Sequence, residues 1–351
     1  MRRQPLGRFA VFGLIASLCA CEPKLQEPVP SPEPVVDRDA IVAEARAALA
    51  DAGVKELRWG VTPYVLPDEV ISAYVPMTVK ISRALGVEAG VVLADTYENL
   101  EDKMLAGEID VGVMTPYSYV RTHARDPKVR VFASHIARGS VTYGSYIVAR
   151  EDGSVRSLED VRGRKFGFVS KASTSGFLFA ASRMLDAKLH PLEDVQPVFL
   201  GSHDAVLRAV ADGVVDAGAT YDGAIVDSLE ALGSAVSFRV LAKGPRIPHD
   251  PYVAGPTLPD VVQDALAILF ADISTQTEEG RSLLAPFLRI NGFVSVDNSH
   301  YDVIRSVQEQ VVAALGEAAV MGFTGEGPPT EVLAPEDAAV SPDEIPEATV
   351  Q

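Results

Sequence analysis

The sequence predicts an α/β protein made of two similar lobes with a ligand cleft between them. From about residue 56, apolar runs typical of strands alternate with runs typical of helices, which predicts parallel sheets covered by helices on both faces. The pattern then recurs once along the chain, which favours two lobes. A length of 351 residues, with 47% hydrophobic and 23% charged residues, is sufficient to bury two cores.

The first lobe opens with a predicted helix at residues 39–52, ending near Gly53. The sequence leaves open whether this helix packs on the lobe or belongs to a stalk. The elements predicted after it are strands at residues 56–61, 89–94 and 109–114, a helix through residues 77–81 that stops near Gly86, and a helix at residues 97–105.

The second half of the chain repeats this order. Trp-Gly-Val at residues 59–61 is echoed by Phe-Gly-Phe at residues 166–168, and the turn at Gly107 is echoed by the turn at Gly213. From the strand glycine to the turn glycine there are 47 residues in the first half and 46 in the second. Such patterns also arise by chance in α/β proteins, but two matches in register favour two related lobes.

Two predicted strands, at residues 141–148 and 238–241, cross between the lobes. After the second crossing the chain returns to the first lobe, where residues 266–270 and 303–307 are predicted as covering helices. The sequence thus predicts lobe 1 at residues 40–142 plus 245–322 and lobe 2 at residues 143–244.

The N-terminus has the pattern of a signal peptide at residues 1–20, with a basic start and an apolar run too short to span a bilayer as a mature helix. The run ends in Leu-Cys-Ala-Cys at residues 18–21, which resembles the bacterial lipobox. This resemblance implies that Cys21 is acylated and anchors the mature protein to a membrane on its extracytoplasmic side. Ordinary signal-peptidase cleavage is the alternative. Residues 21–39 are proline-rich and predict an extended tether.

The charge of the chain excludes some partners. A net charge of −17 and a pI near 4.8 argue against nucleic acid and against a polybasic membrane surface. Part of the charge lies in residues 323–351, which combine acidic residues and prolines without lysine or arginine and are predicted to be disordered. The six histidines show no metal-ligand spacing, so neither a metal nor a cofactor is predicted.

The most informative polar segment is Ser-Thr-Ser-Gly at residues 173–176, between a predicted strand and a predicted helix. We name Ser173, Thr174 and Ser175 the hydroxyl triplet. Hydroxyls and free N–H groups at a helix N-terminus favour an anion. Helix capping is the alternative, but one hydroxyl suffices for a cap. Gly176 is interpreted as the residue that lets a ligand approach the backbone.

Other polar side chains follow the predicted strands, where ligands bind in open parallel sheets. None of them is lysine or arginine, so neutral donors are expected to hold an anion. Tyr64 and Tyr117 are equally consistent with contact to a ligand and with burial in a core. The strand-end residues are Thr62, Tyr64, Thr96, Tyr97, residues 115–119, Ser202, His203 and residues 220–222.

These segments together resemble the phosphate/phosphite/phosphonate-binding proteins of bacterial ABC transporters, which have the type II periplasmic-binding-protein fold. Ser-Thr-Ser-Gly at residues 173–176 and Gly-Ser-His-Asp at residues 201–204 carry most of the resemblance. The remaining matching segments occur in family order, at residues 60–64, 105–110, 116–120, 143–145, 157–163 and 213–217.

The resemblance implies a periplasmic protein that captures a small oxyanion and delivers it to an ABC transporter permease. By position, the hydroxyl triplet would hold the phosphonyl oxygens, with His203, Tyr97 and Tyr143 completing the shell. Asp222 falls near an acidic position that meets the ligand's amine in some members, although this alignment is loose by about one residue. The acidic tail and the lipobox depart from the transporter pattern and leave the coupling to a permease open.

Binding without catalysis is expected. A serine hydrolase built from Ser173, His203 and Asp222 is less favoured, because the chain lacks the Gly-x-Ser-x-Gly elbow. The sequence is also compatible with a binding protein for a small carboxylate or a pyrimidine precursor, and with a sensor that has no permease.

Overall fold

The computed structural model describes residues 37–61, 67–232, 237–287 and 289–321. Cys21, Tyr64, the predicted signal peptide, most of the tether and the acidic tail lie outside these ranges. The helices are α1 Arg38–Asp51, α2 Pro67–Ala84, α3 Tyr97–Leu105, α4 Pro116–Arg125, α5 Phe179–Asp186, α6 His203–Ala211, α7 Asp222–Leu232, α8 Asp260–Ala271, α9 Glu278–Leu284, α10 Asp302–Leu315 and α11 Glu317–Met321. The strands are β1 Glu56–Val61, β2 Glu88–Leu93, β3 Val111–Val113, β4 Arg130–Ala137, β5 Thr142–Arg150, β6 Lys165–Phe168, β7 Gln196–Phe199, β8 Ala217–Tyr221, β9 Phe238–Pro248, β10 Pro251–Ala254 and β11 Ile290–Ser295.

The strands form two sheets, one in each lobe. Lobe 1 has six strands in the order β11-β4-β10-β3-β1-β2, and lobe 2 has five in the order β7-β6-β8-β5-β9. The prediction of purely parallel sheets is wrong: β10 runs antiparallel to β3, and β5 runs antiparallel to β8. Both strands start where the chain crosses between the lobes, at the edge where β3 and β8 end, so each must run opposite to its neighbour.

The internal repeat predicted from the sequence is visible in the strand pairing. In lobe 1, β1 pairs parallel with β3 and sets Gly60 opposite Gly112. In lobe 2, β6 pairs parallel with β8 and sets Gly167 opposite Gly218. The two lobes therefore share a central pair of strands with the same register of glycines.

The helices α3 and α6 hold equivalent places in this repeat. Thr96 caps α3 by accepting the Asn99 N–H, and Ser202 caps α6 by accepting the Ala205 N–H, at 3.0 and 3.1 Å. Each helix is followed by a glycine at positive φ, Gly107 at 69° and Gly213 at 73°, where a side chain would be strained. The first residues of these helices, Tyr97 and His203, thus occupy equivalent positions at the cleft edges of the two sheets.

Each lobe has an aromatic core. Trp59 and Phe270 lie at the centre of the core of lobe 1, and Phe166 and Phe168 are fully buried in that of lobe 2. Helix α1 packs on lobe 1 through Ala45 and Leu49, among other residues, which decides the question that the sequence left open.

A further apolar cluster is shared by the two lobes. It joins Tyr117 of α4 and Ile304 of α10 to Phe179 of α5. Beside it the Ser182 hydroxyl bonds to the Gln310 side chain at 2.8 Å. One side of the molecule is therefore packed across the lobe boundary, so the two sheets cannot separate freely there.

The crossing strands lie close to the predicted positions, but the second is longer. β9 pairs with β5 through Pro248, so the predicted lobe boundary at residue 244 falls inside this strand. The link from β9 to β10 consists of His249 and Asp250. Within the described ranges, no helix combines the length and the apolar character needed to cross a membrane.

Candidate functional site

The hydroxyl triplet lies at the start of a wide helical turn, Thr174–Leu178, between β6 and α5. Ser173 has extended backbone angles and precedes the turn, and its Oγ accepts the Gly176 N–H at 3.1 Å. All three triplet residues are at most 2% exposed. Ser173 therefore serves as the helix cap, the role that the sequence offered as the alternative for this segment.

The other two hydroxyls have longer-range partners. Thr174 Oγ1 accepts the backbone N–H of Tyr117, from lobe 1, at 2.9 Å. The Ser175 side chain is close enough to the Tyr143 hydroxyl to lower its pKa against the larger raising effect of burial, and the Ser175 carbonyl accepts the Ser145 hydroxyl at 3.2 Å. Helix capping therefore accounts for Ser173 alone, because Thr174 and Ser175 contact residues outside the turn.

The turn also presents free backbone donors. The N–H groups of Thr174 and Ser175 have no acceptor among the residues that the structure describes. Unpaired N–H groups at a helix N-terminus, at the positive end of the helix dipole, form an anion-binding arrangement. The geometry at the triplet is thus suited to an oxyanion.

Gly176 has a packing role that the sequence does not predict. A Cβ at this position would lie 2.4 Å from Cγ2 and 2.7 Å from Cβ of Val169. The Gly176 carbonyl accepts the Val169 N–H at 3.2 Å. A glycine is required at this position because the turn packs tightly against the end of β6.

Tyr97 and His203 bring the equivalent helix N-termini of the two lobes to the same region. The Tyr97 side chain packs against Val169, Ala172 and Val206 of lobe 2. His203 Nδ1 lies 3.2 Å from Thr220 Oγ1. Burial lowers the pKa of His203 to about 3, so the imidazole is neutral near pH 7 and offers one N–H.

A row of aromatic rings connects these residues. His203 contacts Tyr221 edge-on at 4.8 Å, and Tyr221 contacts Tyr143 edge-on at 5.8 Å between ring centroids. Tyr143 stacks on His249 at 5.3 Å, and His249 lies 4.5 Å from His135 of β4. The row runs from lobe 2 into lobe 1 and forms one wall beside the triplet.

Asp222 is held by the backbone. Its Oδ2 accepts the Gly144 N–H at 3.0 Å, its Oδ1 accepts the Gly223 N–H at 2.9 Å, and Arg246 Nη1 lies 3.4 Å away. These contacts hold the first turn of α7 against the crossing strands. The carboxylate still has an exposed side, at 38% exposure.

The Tyr117 side chain lies in the core, one of the two positions that the sequence allowed for it. Its ring is fully buried, and Arg121 lies 5.6 Å from the ring centroid. Arg121 also pairs with the buried Glu101 at 3.2 Å, and burial raises the pKa of Glu101 to about 7. The group of Tyr117 that reaches the triplet is its backbone N–H.

Asp250 is a candidate residue that sequence reasoning missed. It lies two residues after β9, among Tyr97, Tyr143 and Tyr221. Burial raises the pKa values of these three tyrosines, and the charge of Asp250 raises them further. Burial raises the pKa of Asp250 itself to about 7, and no hydrogen bond reaches it from the described part of the chain. The only feature of the sequence that points to Asp250 is its place near the second crossing between the lobes. The sequence predicts that crossing strand at residues 238–241, whereas β9 ends at Pro248.

Tyr221 is a second residue whose position the sequence pattern does not single out. It belongs to the strand-end group at residues 220–222, in which only Asp222 has a predicted contact with the ligand. In the structure its ring lies between His203 and Tyr143.

Hydrolytic chemistry finds no support in this geometry. His203 is paired with Thr220, and Asp222 is bound to backbone N–H groups, so Ser173, His203 and Asp222 do not form a triad. Over the described ranges, no group of three or more His, Cys, Asp or Glu side chains is arranged to hold a metal ion.

Two α/β lobes, joined by crossing strands and carrying capped helix N-termini at the cleft, define a bilobal solute-binding protein. Residues 59–301 match the family model described as the periplasmic substrate-binding protein of phosphonate ABC transporters. The chain belongs to this family, and is a substrate-binding transport protein rather than a member of an enzyme family.

Individual relatives agree with the family match. The chain is 27% identical over 255 residues to the phosphate-import protein PhnD of Mycolicibacterium smegmatis, covering 67% of this chain and 79% of the relative. It is 25% identical over 239 residues to the phosphonates-binding periplasmic protein of Escherichia coli, covering 66% and 70%. The fold matches PhnD1 of Prochlorococcus marinus, solved in complex with methylphosphonate, with a TM-score of 0.66, 19% identity and coverage of 73% and 98%.

The triplet predicts a separation of binding from folding. Thr174→Val keeps the side-chain volume but removes the hydroxyl, and we expect it to weaken methylphosphonate binding by about tenfold or more, because a hydrogen bond to a charged group contributes roughly 1.5–3 kcal/mol. Thr174→Ser keeps the hydroxyl and should bind within about threefold of the wild type. Calorimetric titration measures both affinities.

Thr277→Ala is the matched control, because Thr277 caps α9 of lobe 1 by accepting the Gly280 N–H at 3.0 Å and has no part in the triplet. It should lower the free energy of unfolding of the ligand-free protein by about 1 kcal/mol and leave binding unchanged. Unchanged affinity in Thr174→Val together with a lower melting temperature would mean that the triplet is only structural.

Proposed function

We propose that this protein captures a phosphonate between its two lobes and delivers it to the permease of an ABC transporter. The observation that carries the proposal is the grouping of neutral donors of lobe 2 at the lobe boundary: the free N–H groups of Thr174 and Ser175, the triplet hydroxyls and the neutral His203, with Tyr97 of lobe 1 packed against the same lobe. A buried oxyanion is stable only when its oxygens are hydrogen-bonded. Donors without a full charge supply these bonds in an acidic protein.

In this proposal the phosphonyl oxygens are bound by Ser173, Thr174 and Ser175, and His203, Tyr97 and Tyr143 complete the shell. Tyr64 stays a candidate contact from lobe 1, and Tyr117 contributes through its backbone rather than through its ring. Burial keeps the tyrosine pKa values above their ordinary range, so that each hydroxyl remains a donor.

Asp250 narrows the ligand class. A carboxylate that receives no hydrogen bond within the described chain, next to an oxyanion site, would repel a simple anion if it were ionised. An ammonium group on the ligand would pair with it, with Asp222 on the same side. We therefore favour an aminoalkylphosphonate, whose phosphonyl group meets the triplet and whose ammonium group meets Asp250. Inorganic phosphate is the second candidate, because a protonated Asp250 could donate to one of its oxygens.

The cellular setting follows the same proposal. The lipobox at residues 18–21 and the proline-rich tether support a lipoprotein anchored through Cys21 in the periplasm, beside its permease. The protein binds without turnover and needs no cofactor.

The function is tested by calorimetry with 2-aminoethylphosphonate, methylphosphonate, phosphite, phosphate, sulfate and a small carboxylate. We expect 2-aminoethylphosphonate to bind at least tenfold more tightly than methylphosphonate and to raise the melting temperature. Ligand at a hundredfold excess over its Kd stabilises the fold by about 2.7 kcal/mol. Tight binding of a carboxylate or a pyrimidine precursor, with no phosphorus oxyanion bound, would overturn the assignment. Turnover of phosphate or carboxylate esters that is lost in Ser173→Ala would indicate a hydrolase instead.

Asp250 predicts a pH dependence of defined sign. Below about pH 7 the carboxyl of the ligand-free protein is protonated, and an ammonium ligand must displace that proton. The ratio of the affinities for 2-aminoethylphosphonate and methylphosphonate should therefore rise as the pH rises through 7. The ammonium group lowers the second pKa of its own phosphonyl group relative to that of methylphosphonate, so the pH dependence of the ratio must be compared between the wild type and Asp250→Asn, for which this difference between the ligands is the same.

Asp250→Asn should make this ratio depend less on pH, whereas Glu101→Gln should leave its pH dependence unchanged. Glu101 is the matched control, since burial raises its pKa to about 7 as well but it lies beside Arg121 inside lobe 1. The same pH dependence of the ratio in the wild type and in Asp250→Asn would exclude an Asp250–ammonium pair.

The lipid anchor predicts that Cys21→Ser moves the protein from the membrane fraction to the soluble periplasmic fraction and blocks processing. Cys19→Ser is the matched control, because it changes a neighbouring cysteine that is not at the acylated position. Fractionation and intact mass measure both effects. Unchanged membrane association of Cys21→Ser would contradict acylation at this residue.

A further inference from the structure

A second polar contact joins the lobes, away from the triplet. Arg289 of lobe 1 directly precedes β11, and its guanidinium forms an ion pair with Asp227 on α7 of lobe 2. The partners are 62 residues apart in sequence and come from different lobes. The pair therefore exists only when the lobes are close together.

The surroundings of the guanidinium define where it lies. A Cβ built on Gly223 would be 2.7 Å from Arg289 Nη1, so the guanidinium rests against the first turn of α7. Tyr221 and Asp222 both act on the Arg289 charge. Arg289 thus reaches the same turn that carries Asp222 and follows the cleft residue Tyr221.

The backbone on the lobe 1 side is anchored. The Arg289 carbonyl accepts the Arg138 N–H at 2.9 Å, which ties it to the turn after β4. The Arg289 side chain is 19% exposed and Asp227 is 51% exposed. The partly buried guanidinium loses hydration free energy, and the ion pair with Asp227 offsets this loss. The pair can form only when the lobes are closed.

We propose that Arg289 and Asp227 form a latch that holds the lobes closed and sets how long a ligand stays bound. Arg289 is a positioning residue: it fastens α7, and with it Tyr221 and Asp222, to lobe 1. Because the pair forms on closure, it slows the opening step and leaves the encounter of ligand with the open protein unchanged. The inference rests on the proposed capture of a ligand between the lobes.

The test is a double-mutant cycle on the full chain with Arg289→Gln, Asp227→Asn and the double variant. Stopped-flow measurements with 2-aminoethylphosphonate and methylphosphonate should show dissociation about five- to twentyfold faster in each single variant, as expected for coupling of a partly buried pair. Association rates should stay within about twofold of the wild type, and the double variant should match the single variants. The exchanged pair Arg289→Asp with Asp227→Arg should recover part of the loss.

The matched control is Arg150→Gln with Asp152→Asn, an ion pair at 2.7 Å at the end of β5 in lobe 2 that does not cross between the lobes and has no part in the site. It should leave the dissociation rate unchanged. Dissociation rates of both latch variants equal to the wild type, in proteins with normal melting temperatures, would overturn the latch.

Small-angle scattering keeps the latch testable if neither phosphonate binds. The radius of gyration of the ligand-free Arg289→Gln protein should exceed that of the wild type, because fewer molecules are closed. An equal radius in both proteins would count against the latch, whatever the ligand is.

Discussion

The hydrogen bond from the Tyr117 N–H to Thr174 Oγ1 is the contact around which the cleft is built. It joins the N-terminus of α4 in lobe 1 to the hydroxyl triplet of lobe 2 at 2.9 Å. Thr115, the cap of α4, donates its hydroxyl to the Ala172 carbonyl at 3.2 Å in the same place. Two helix N-termini, one from each lobe, thus face each other, and the unpaired N–H groups of Thr174 and Ser175 in the lobe 2 turn lie at the lobe boundary.

The repeat explains how one chain supplies such a site. In both lobes a parallel strand ends at the cleft and is followed by a Ser or Thr cap and a helix, so the fold itself sets donors at the edge. Divergence between the copies then gives each lobe a different side chain at the same place, Tyr97 in one and His203 in the other. The symmetric scaffold yields an asymmetric site, as an asymmetric ligand requires.

Much of this fold could be predicted from the sequence. The bounds of β1 and α3 were predicted to the residue, and the internal echo corresponds to strands paired in the same register. These features depend on local patterns of apolar residues, caps and glycines. The mixed character of the sheets was missed because strand direction depends on where the chain re-enters a lobe, which no local pattern encodes.

Of the candidate site, the triplet was predictable because three hydroxyls in a row are visible in the sequence. The tight packing of Gly176 on Val169 was not visible, since Val169 precedes the turn in an ordinary strand pattern. Asp250 and Arg289 were missed for a related reason. Each is identified as a candidate only by its contacts with residues of the opposite lobe. These contacts join residues that are distant in sequence, so no local pattern around an Asp or Arg predicts them.

The protonation states of His203, Tyr97 and Tyr143 have a consequence for a protein that is exposed to changes of external pH. The imidazole of His203 stays neutral down to about pH 3, and Tyr97 and Tyr143 have raised pKa values because they are buried. The periplasm has little control over its own acidity and follows the medium outside the cell. These three side chains therefore keep the same protons over a wide range of external pH, so a change of pH acts on the cleft through carboxyl groups such as Asp250.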